Sequence, residues 1–481
     1  MKTAIALFVK NEVHDIAAWI GWHFAQGVDK LFIYDDHSTD GTYEVLLAAR
    51  SLFNIAVGKT DPKTTPHFYR RQGDAYMDAC LKAAGQFDWI GFLDGDEYLS
   101  LQHDTTIGDF LARFDTADGI GLNWRIYGSS HRALKTKIPP YEAFTFHASK
   151  DLDDQHLIKS FIRPEKCTLN YINPHRYSLE GDNYVDASGN RFEWTAEGCK
   201  TISWENACIN HYYCRTMEHY IDRIRKRAGF DLHDSTGYWE HFNRNDISQK
   251  ERPETVAKAN AIVQQIRERC VRDYIASISG TNPASGTPHS AARVFSLRCH
   301  TGSGPALDQN MTYLSQRPED DVSVKVSGIV YNDDPDHIWL AVEDGPVIRN
   351  IPFHIQEDGR FACAYRFVLE KRDNSDGFLL RSPINDKYLC FIALEHGAAI
   401  ECNREDGADW ETITLTEKSD STLTLSDSPA HIDSPPHVLN FIREHGSTVS
   451  YSDVLLALDS LPPHARKDFL DAEENKIISW L

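Results

Sequence analysis

The first hundred residues alternate between short apolar runs and segments whose apolar residues recur at helical spacing. The runs at 3–9, 30–34 and 87–93 predict buried strands, and the segments at 15–26 and 71–84 predict helices. Alternation of strand and helix predicts an α/β fold, a mostly parallel sheet flanked by helices. Ligands of such sheets bind beyond the carboxyl ends of the strands, so polar residues there are the first candidates for chemistry.

The pattern changes twice along the chain. Gly, Ser and Pro replace the helical pattern at 279–288, and short alternating runs such as 322–326 then predict strands of an all-β module. A second Pro-containing stretch at 428–436 precedes a small helical tail. We therefore predict four segments: a domain at 1–280, a linker at 281–290, a β-rich module at 291–427, and a linker with helical tail at 428–481.

Composition narrows the classes of partner. The chain has 481 residues with 50 Lys and Arg against 71 Asp and Glu, a formal charge of -21 that disfavours nucleic acid or an anionic membrane as a partner. It has no apolar run of transmembrane length, and its ten cysteines contain no C-x-x-C pair. We expect a soluble protein of a reducing compartment, in the cytoplasm, with peripheral contact with the inner membrane as the alternative.

The strongest candidate for chemistry is the acidic sequence Asp94-Gly95-Asp96-Glu97, which ends a predicted strand. Three carboxylates this close repel one another unless a cation or hydrogen-bond donors compensate. Mg²⁺ and Mn²⁺ take carboxylate oxygens and keep positions open for phosphate, so the segment predicts a metal-diphosphate site. A solvated acidic turn is the alternative.

A second acidic pair, Asp35-Asp36, ends the preceding strand of the pattern. Its carboxylates could accept hydrogen bonds from the base or ribose of a nucleotide, or they could cap the helix that follows. Gly95 would let the backbone approach a ligand closely. Two acidic clusters at neighbouring strand ends are what an enzyme acting on a sugar nucleotide needs.

Several segments in order resemble glycosyltransferases of family 2 and family 92, which have a GT-A fold and a D-x-D motif. The similar segments lie at 8–12, 34–42, 89–99, Phe144, 159–164 and 210–212. The resemblance covers about the first half of the chain. It implies an inverting hexosyltransferase that uses a nucleotide-sugar donor, with UDP and galactose foremost, and a glycan or glycoconjugate acceptor in polysaccharide biosynthesis.

The resemblance also assigns roles to individual residues. The donor nucleotide would be bound by Lys10, Glu12, Asp35, Asp94 and Arg215. The metal, Mn²⁺ or Mg²⁺, would be held by Asp94, Asp96 and His211, and the acceptor would contact Trp124 and His131. Arg215 stands where the family usually has a Lys-Ser pair. A lone histidine is often a core hydrogen-bonding residue, which is the alternative for His211.

An inverting transfer needs a base that takes the proton of the acceptor hydroxyl. Glu142 matches the acidic position of the family best, and Asp151, Asp153 and Asp154 are rivals for the role. A solvated loop carboxylate is the alternative for each. Lys159 could help with charge or form a strand-edge salt bridge.

Two other functions stay open. The first is a carbohydrate-binding protein whose transferase half is inactive, and the second, less favoured, is a phosphatase of the haloacid dehalogenase type. In the β-rich module, Trp339 and Tyr388 could stack on sugars or lie in the core. The module is expected to position the acceptor or to contact a partner.

Overall fold

The computed structural model describes residues 1–133, 135–195, 198–227, 235–279, 291–307, 314–318, 325–345, 347–349, 355–357, 360–362, 366–383, 385–393, 395, 399–429 and 431–481. The chain divides into two compact units, residues 1–270 with Trp480 and residues 271–479 with Leu481. The predicted linker at 281–290 lies outside the described residues, so the predicted domain limits stay predictions. No helix within the described ranges is long and apolar enough to cross a membrane.

The first unit is built on a mixed sheet. Its strands are β1 (Thr3–Val9), β2 (Lys30–Asp35), β3 (Ile55–Lys59), β4 (Trp89–Leu93), β5 (Glu97–Leu101), β6 (Gly119–Ile126), β7 (Phe146–His147), β8 (Ile158–Ile162), β9 (Cys167–Tyr171), β10 (Tyr177–Leu179), β11 (Tyr184–Asp186), β12 (Ala207–His211) and β13 (Ile247–Ser248). The main sheet has the order β3-β2-β1-β4-β8-β6-β12-β5, with β11 beside β6.

Helices flank this sheet. They are α1 (Ile16–Ala25), α2 (Thr42–Arg50), α3 (Phe68–Ala83), α4 (Ile107–Leu111), α5 (Pro140–Ala143), α6 (Met217–Arg227), α7 (Ser235–Phe242) and α8 (Pro253–Ser279). Strands β3, β2, β1 and β4 are parallel, as are β6 and β12. Strand β8 is antiparallel to both of its neighbours, and β5 is antiparallel to β12. The predicted α/β class, with a parallel-rich sheet, is therefore confirmed.

Helix α3 packs its apolar side against one face of the sheet. Ala4, Ala6 and Phe8 of β1 point to the same side because side chains alternate along a strand. The buried residues of α3, including Ala75 and Tyr76, pack against them in one apolar cluster. This packing sets the first turns of α3 beside the carboxyl ends of β1 and β2.

The second unit is β-rich, as predicted. Its strands are β14 (Ala292–Cys299), β15 (Gly304–Leu307), β16 (Leu314–Arg317), β17 (Ser327–Tyr331), β18 (His337–Asp344), β19 (Val347–Arg349), β20 (Ile355–Glu357), β21 (Arg360–Ala362), β22 (Arg366–Lys371), β23 (Phe378–Arg381), β24 (Tyr388–Phe391), β25 (Ile400–Arg404) and β26 (Ile413–Glu417). The helical tail consists of α9 (Pro435–His445), α10 (Tyr451–Asp459) and α11 (Pro463–Asp471).

The structure shows the positions of the two aromatic residues of this unit that were candidates for stacking on sugars, Trp339 and Tyr388. Trp339 is fully buried in β18, which lies between β17 and β22, so it is a core residue and not a platform for a sugar ring. Tyr388 is half-buried, and its hydroxyl donates to Glu370 Oε2 at 2.8 Å. Part of the predicted strand at 322–326 lies outside the described residues.

Candidate active site

The acidic segment forms a tight turn between β4 and β5. The backbone N–H of Glu97 donates to the Asp94 carbonyl at 3.1 Å, and the Asp94 N–H donates to Glu97 Oε2 at 2.8 Å. Trp19 Nε1 donates to the carbonyls of both Asp94 and Glu97, at 3.1 and 2.9 Å. The turn is therefore fixed by its own glutamate and by a buried tryptophan of α1.

Lys159 of β8 compensates two of the carboxylates. Its Nζ lies 2.6 Å from Asp94 Oδ2 and 3.2 Å from Glu97 Oε2, and both Lys159 and Glu97 have fully buried side chains. Burial raises the pKa of Glu97 to about 7, although the Lys159 ammonium acts to lower it. Burial alone would lower the pKa of Lys159, but Asp94 and Glu97 outweigh it and raise that pKa. Lys159 is therefore charged at neutral pH.

Asp96 faces a different set of groups. Its Oδ2 lies 3.5 Å from His211 Nε2 and 3.8 Å from Arg223 Nη1. Burial acts to raise the pKa of Asp96, but His211, Arg223 and Arg215 outweigh it and hold that pKa well below its usual range. Asp96 is therefore an ionised carboxylate in a largely enclosed, positively charged setting.

His211 reaches Asp96 because of strand register. It ends β12, directly opposite Glu97 of β5 on one side and Ile126 of β6 on the other. The imidazole lies against the indole of Trp124, with ring centroids 4.3 Å apart. Both His211 Nδ1 and Trp124 Nε1 are buried, and neither has a hydrogen-bond partner in the described part of the chain. Two buried polar atoms of the His211–Trp124 ring pair thus lack a partner within the described residues.

The two residues of the second acidic pair, Asp35 and Asp36, lie in different environments. Asp36 is bound by Arg71 of α3 through two hydrogen bonds, at 2.6 and 2.8 Å, and by the Thr60 hydroxyl at 2.7 Å. Asp36 therefore does not cap α2, and Asp40 accepts from the first N–H of that helix instead, at 3.0 Å. Asp35 is fully buried, and its Oδ1 has no partner among the described residues.

Arg215 forms ion pairs with two carboxylates of the protein. Its Nη1 lies 2.8 Å from Glu12 Oε2 and 2.6 Å from Asp15 Oδ2, and its backbone φ of 51° lies in the left-handed region. Burial raises the pKa of Glu12, although Arg215 acts to lower it. Lys10 is partly exposed, with its Nζ 3.9 Å from Asp36 Oδ2. Among the described Lys and Arg residues, Lys159 contacts Asp94 and Arg223 contacts Asp96.

The acceptor-side residues occupy separate elements. Glu142 lies in α5, where its Oε1 accepts a hydrogen bond from Asn260 of α8 at 2.9 Å. His131 is exposed in the loop after β6, with its ring 5.6 Å from that of Phe146. Asp154, a rival for the base, pairs with His241 at 2.7 Å. The predicted roles of Glu142, His131 and Trp124 stay predictions.

The three proposed metal ligands are only partly assembled. Asp96 and His211 lie side by side, whereas Asp94 directs Oδ2 to Lys159. In the described ranges no group of three His, Cys, Asp or Glu side chains is arranged to hold a metal ion. A two-residue site that leaves the other positions to phosphate oxygens fits the Asp96–His211 pair and the ligand preferences of Mg²⁺ and Mn²⁺.

Three residues around Asp94 were missed from the sequence. Gln72 Nε2 donates to Asp94 Oδ1 at 3.3 Å, and the Tyr76 hydroxyl donates to the same oxygen at 3.4 Å. The Tyr171 hydroxyl in turn donates to Gln72 Oε1 at 3.4 Å. The available signal was the spacing of Gln72 and Tyr76, four residues apart on α3, which puts both on one helix face.

The fold is a parallel-rich α/β sheet with acidic side chains at the carboxyl ends of its strands, and the comparisons with known proteins show which family it is similar to. Residues 4–213 match the model of glycosyltransferase family 92. A glycosyltransferase family 92 protein of Oryza sativa subsp. japonica is 26% identical over 228 residues, covering 47% of this chain and 35% of the relative. A family 92 protein of Ricinus communis is 24% identical over 258 residues, covering 52% and 41%. Residues 4–213 are thus similar to glycosyltransferase family 92, which confirms the predicted resemblance.

The extent of these matches is limited. The chain spans between a third and a half of the length of the curated relatives it matches. Among solved structures, S. aureus TarS 1-349 is similar over 56% of this chain and 71% of that chain, with 13% identity and a TM-score of 0.26. The complex of TarS 1-349 with UDP has 15% identity and a TM-score of 0.23 over 34% and 47%. Structural similarity this low carries no argument about the site.

Proposed function

We propose that this chain is an inverting, metal-dependent glycosyltransferase that moves a sugar from a nucleotide-sugar donor to a glycan or glycoconjugate acceptor. A UDP donor, with galactose foremost, is part of the proposal. The observation that carries it is the ionised Asp96 beside His211, at the same sheet edge as the unpartnered oxygen of Asp35. The end of this edge at Asp96 and His211 suits a diphosphate with its cation, and the end at Asp35 suits a nucleoside.

The metal would be held by Asp96 and His211, and when bound it supplies positive charge to the departing diphosphate. The guanidinium of Arg223, with Nη1 3.8 Å from Asp96 Oδ2, adds a second positive charge at the same place. Lys159 fixes the orientation of Asp94, because it donates a hydrogen bond to one oxygen of that carboxylate at 2.6 Å. Preorganised charges of this kind stabilise a leaving group without reorganisation during the reaction.

Glu142 is the proposed base for the acceptor hydroxyl, and Trp124 and His131 are the proposed acceptor contacts. Removal of that proton on the face opposite the diphosphate gives inversion at the anomeric carbon. The hydrogen bond from Asn260 orients the Glu142 carboxylate. Replacement of Glu142 by Gln should lower kcat while leaving donor binding unchanged, whereas a purely structural role would change stability instead.

Thermal shift tests the donor and metal parts together. Wild type, Asp96→Asn and the exposed control Asp182→Asn are heated with UDP, GDP, CDP or ADP, each with and without Mn²⁺. A nucleotide at 100 times its Kd should stabilise the wild type and the control by about 2.7 kcal/mol with metal. Asp96→Asn should lose most of this gain. If no nucleotide raises the melting temperature of the wild type, with or without Mn²⁺, the proposed function is wrong.

The cytoplasmic location also belongs to the proposal. It rests on the strongly acidic composition and on cysteines without disulfide spacing. Fractionation of cells that express the tagged chain tests it, and recovery with the membrane after a high-salt wash would contradict it.

A further inference from the structure

Two cysteines of the first unit lie close together between α3 and β9. Cys80 is buried on α3, and Cys167 begins β9 with a half-buried side chain. Their thiols are within hydrogen-bonding distance of each other. Cys80 belongs to the apolar cluster of α3 and β1, and Cys167 packs against that cluster. Cys80 Sγ also lies 3.7 Å from the carbonyl oxygen of Pro164, shortly before β9.

A second contact fixes α3 against β9. The Tyr171 hydroxyl donates to Gln72 Oε1 at 3.4 Å, and a Cβ added at Gly73 would lie only 2.7 Å from the Tyr171 ring. The helix rises about 10 Å from Gly73 to Cys80. The strand extends about 13 Å from Tyr171 back to Cys167. The two elements therefore stay in contact from one pair to the other, which holds the two thiols together.

The surroundings favour the thiolate form of Cys167. When Cys167 is ionised, the Cys80 thiol donates a hydrogen bond to it, and this lowers the pKa of Cys167 although burial acts to raise it. The Leu169 N–H donates to the same sulfur, and Leu169 has a φ of 59°, in the left-handed region that leucine rarely adopts. The hydrogen bond with Cys167 and burial raise the pKa of Cys80, so Cys80 stays protonated. Oxidants attack thiolates that solvent can reach.

We propose that Cys80 and Cys167 are a redox-sensitive pair that hydrogen peroxide converts into a disulfide between α3 and β9. The Cys167 thiolate attacks one peroxide oxygen and the O–O bond breaks, which gives a sulfenic acid and a hydroxide that takes a proton to become water. The Cys80 thiol then attacks the Cys167 sulfur. The S–S bond forms, and the sulfenic hydroxyl leaves with the thiol proton as a second water. Two thiols are oxidised, and one peroxide is reduced.

The disulfide joins two elements that contact the candidate site. On α3, Arg71 binds Asp36 and Gln72 donates to Asp94, and Tyr171 of β9 donates to Gln72. Oxidation thus restrains the side of the sheet edge on which these groups lie. In a reducing compartment such a disulfide is transient, as is usual for pairs that sense oxidants. The inference does not depend on the proposed function.

Peroxide treatment of the folded chain, followed by alkylation of the remaining thiols and non-reducing peptide mass spectrometry, tests the pair. The wild type should give a crosslinked peptide that contains Cys80 and Cys167, and dithiothreitol should remove the crosslink. Cys80→Ala should instead leave Cys167 as a sulfenic acid that dimedone labels. Cys199→Ala is the matched control, because Cys199 is a buried cysteine of the same apolar cluster. This control should form the crosslink as the wild type does.

Two further readouts separate a redox pair from a simple packing contact. The pH midpoint for alkylation of Cys167 should rise in Cys80→Ala towards about 8.5, the ordinary pKa of a cysteine. Oxidation should raise the melting temperature of the wild type by about 4–16 °C, because the disulfide closes a long loop of the unfolded chain. Cys167→Ala should show no such rise.

Three outcomes would overturn the inference. The first is oxidation of Cys167 in the wild type without a link to Cys80, and the second is a crosslink that forms only after urea has unfolded the chain. The third is the same alkylation midpoint in the wild type and in Cys80→Ala. Melts in dithiothreitol show whether each variant is folded. If Cys80→Ala is not folded, the wild-type crosslink and the melts of Cys167→Ala still decide the question.

Discussion

Removal of Lys159 should destabilise the first unit in a strongly pH-dependent way. The Lys159→Met change deletes an ammonium that lies 3.2 Å from Glu97 and 2.6 Å from Asp94, while keeping most of the apolar volume. Glu97 is fully buried and would be left as an uncompensated charge, whereas Asp94 is partly exposed and can be solvated. Breaking a buried ion pair on one side costs about 3–5 kcal/mol.

The pH dependence follows from Glu97. In the wild type its pKa is already raised to about 7 by burial, so the folded state binds a proton more tightly than the unfolded state does. Without Lys159 this pKa rises further, and the folded state loses stability as pH increases through and above 7. We expect the full cost of about 3–5 kcal/mol at pH 8.5. At pH 5.5, where Glu97 is neutral, about 1–2 kcal/mol remains, the value of the hydrogen bond to Asp94.

Urea unfolding at pH 5.5 and pH 8.5, followed by tryptophan fluorescence, measures both costs. Lys150→Met is the matched control, because its pair with Glu205 is well exposed and should contribute less than about 1 kcal/mol at either pH. The double change Lys159→Met with Glu97→Gln should recover most of the loss at pH 8.5. An equal cost for Lys159→Met at both pH values, or no recovery in the double variant, would refute the reasoning.

Two further changes test the packing around the site. Gly91→Ala should cost about 1–3 kcal/mol, because the added Cβ would lie 2.5 Å from the Phe161 ring, whereas Gly95→Ala meets nothing closer than 3.5 Å and should leave the melting temperature unchanged. Equal melting temperatures for both variants would contradict this. Arg71→Met should cost about 3 kcal/mol at pH 7 in urea unfolding, and less below pH 4. Burial acts to raise the pKa of Asp36, but Arg71 lowers it, so this stability is lost as pH falls. A loss that does not shrink in acid would show that Asp36 is not the group involved.

The strands and their polar ends were accessible from the sequence. The run at 3–9 is a strand with those limits, and the acidic residues after 93 do end a buried strand. Hydrophobic periodicity and turn residues report such local features because they depend on neighbours along the chain. The edge that gathers Asp35, Asp94 and Asp96 followed from the parallel topology.

The ion pairs around the candidate site could not be predicted from the sequence. Arg215 pairs with Glu12 and Asp15, and its predicted role in binding the donor nucleotide stays a prediction. Lys159, from a distant strand, pairs with Asp94. Which cation meets which carboxylate depends on side-chain reach between elements 65 to 203 residues apart, and no local pattern encodes it. Burial of a side chain in a sheet also depends on strands that are distant in the sequence. The buried position of Trp339 could therefore not be predicted from the local pattern.

The position of His211 on the β12 ladder has a consequence for how this protein can change over evolution. The imidazole meets Asp96 because β12 is hydrogen-bonded to β5 and β6 in one register, with His211 opposite Glu97. A single-residue insertion or deletion inside β12 would turn His211 to the opposite face of the sheet. Between β6 and β12, strands β8 and β11 belong to the same sheet, but the segments that connect these strands lie outside the pairings of β12. Changes of length in those connecting segments would therefore leave the histidine in place.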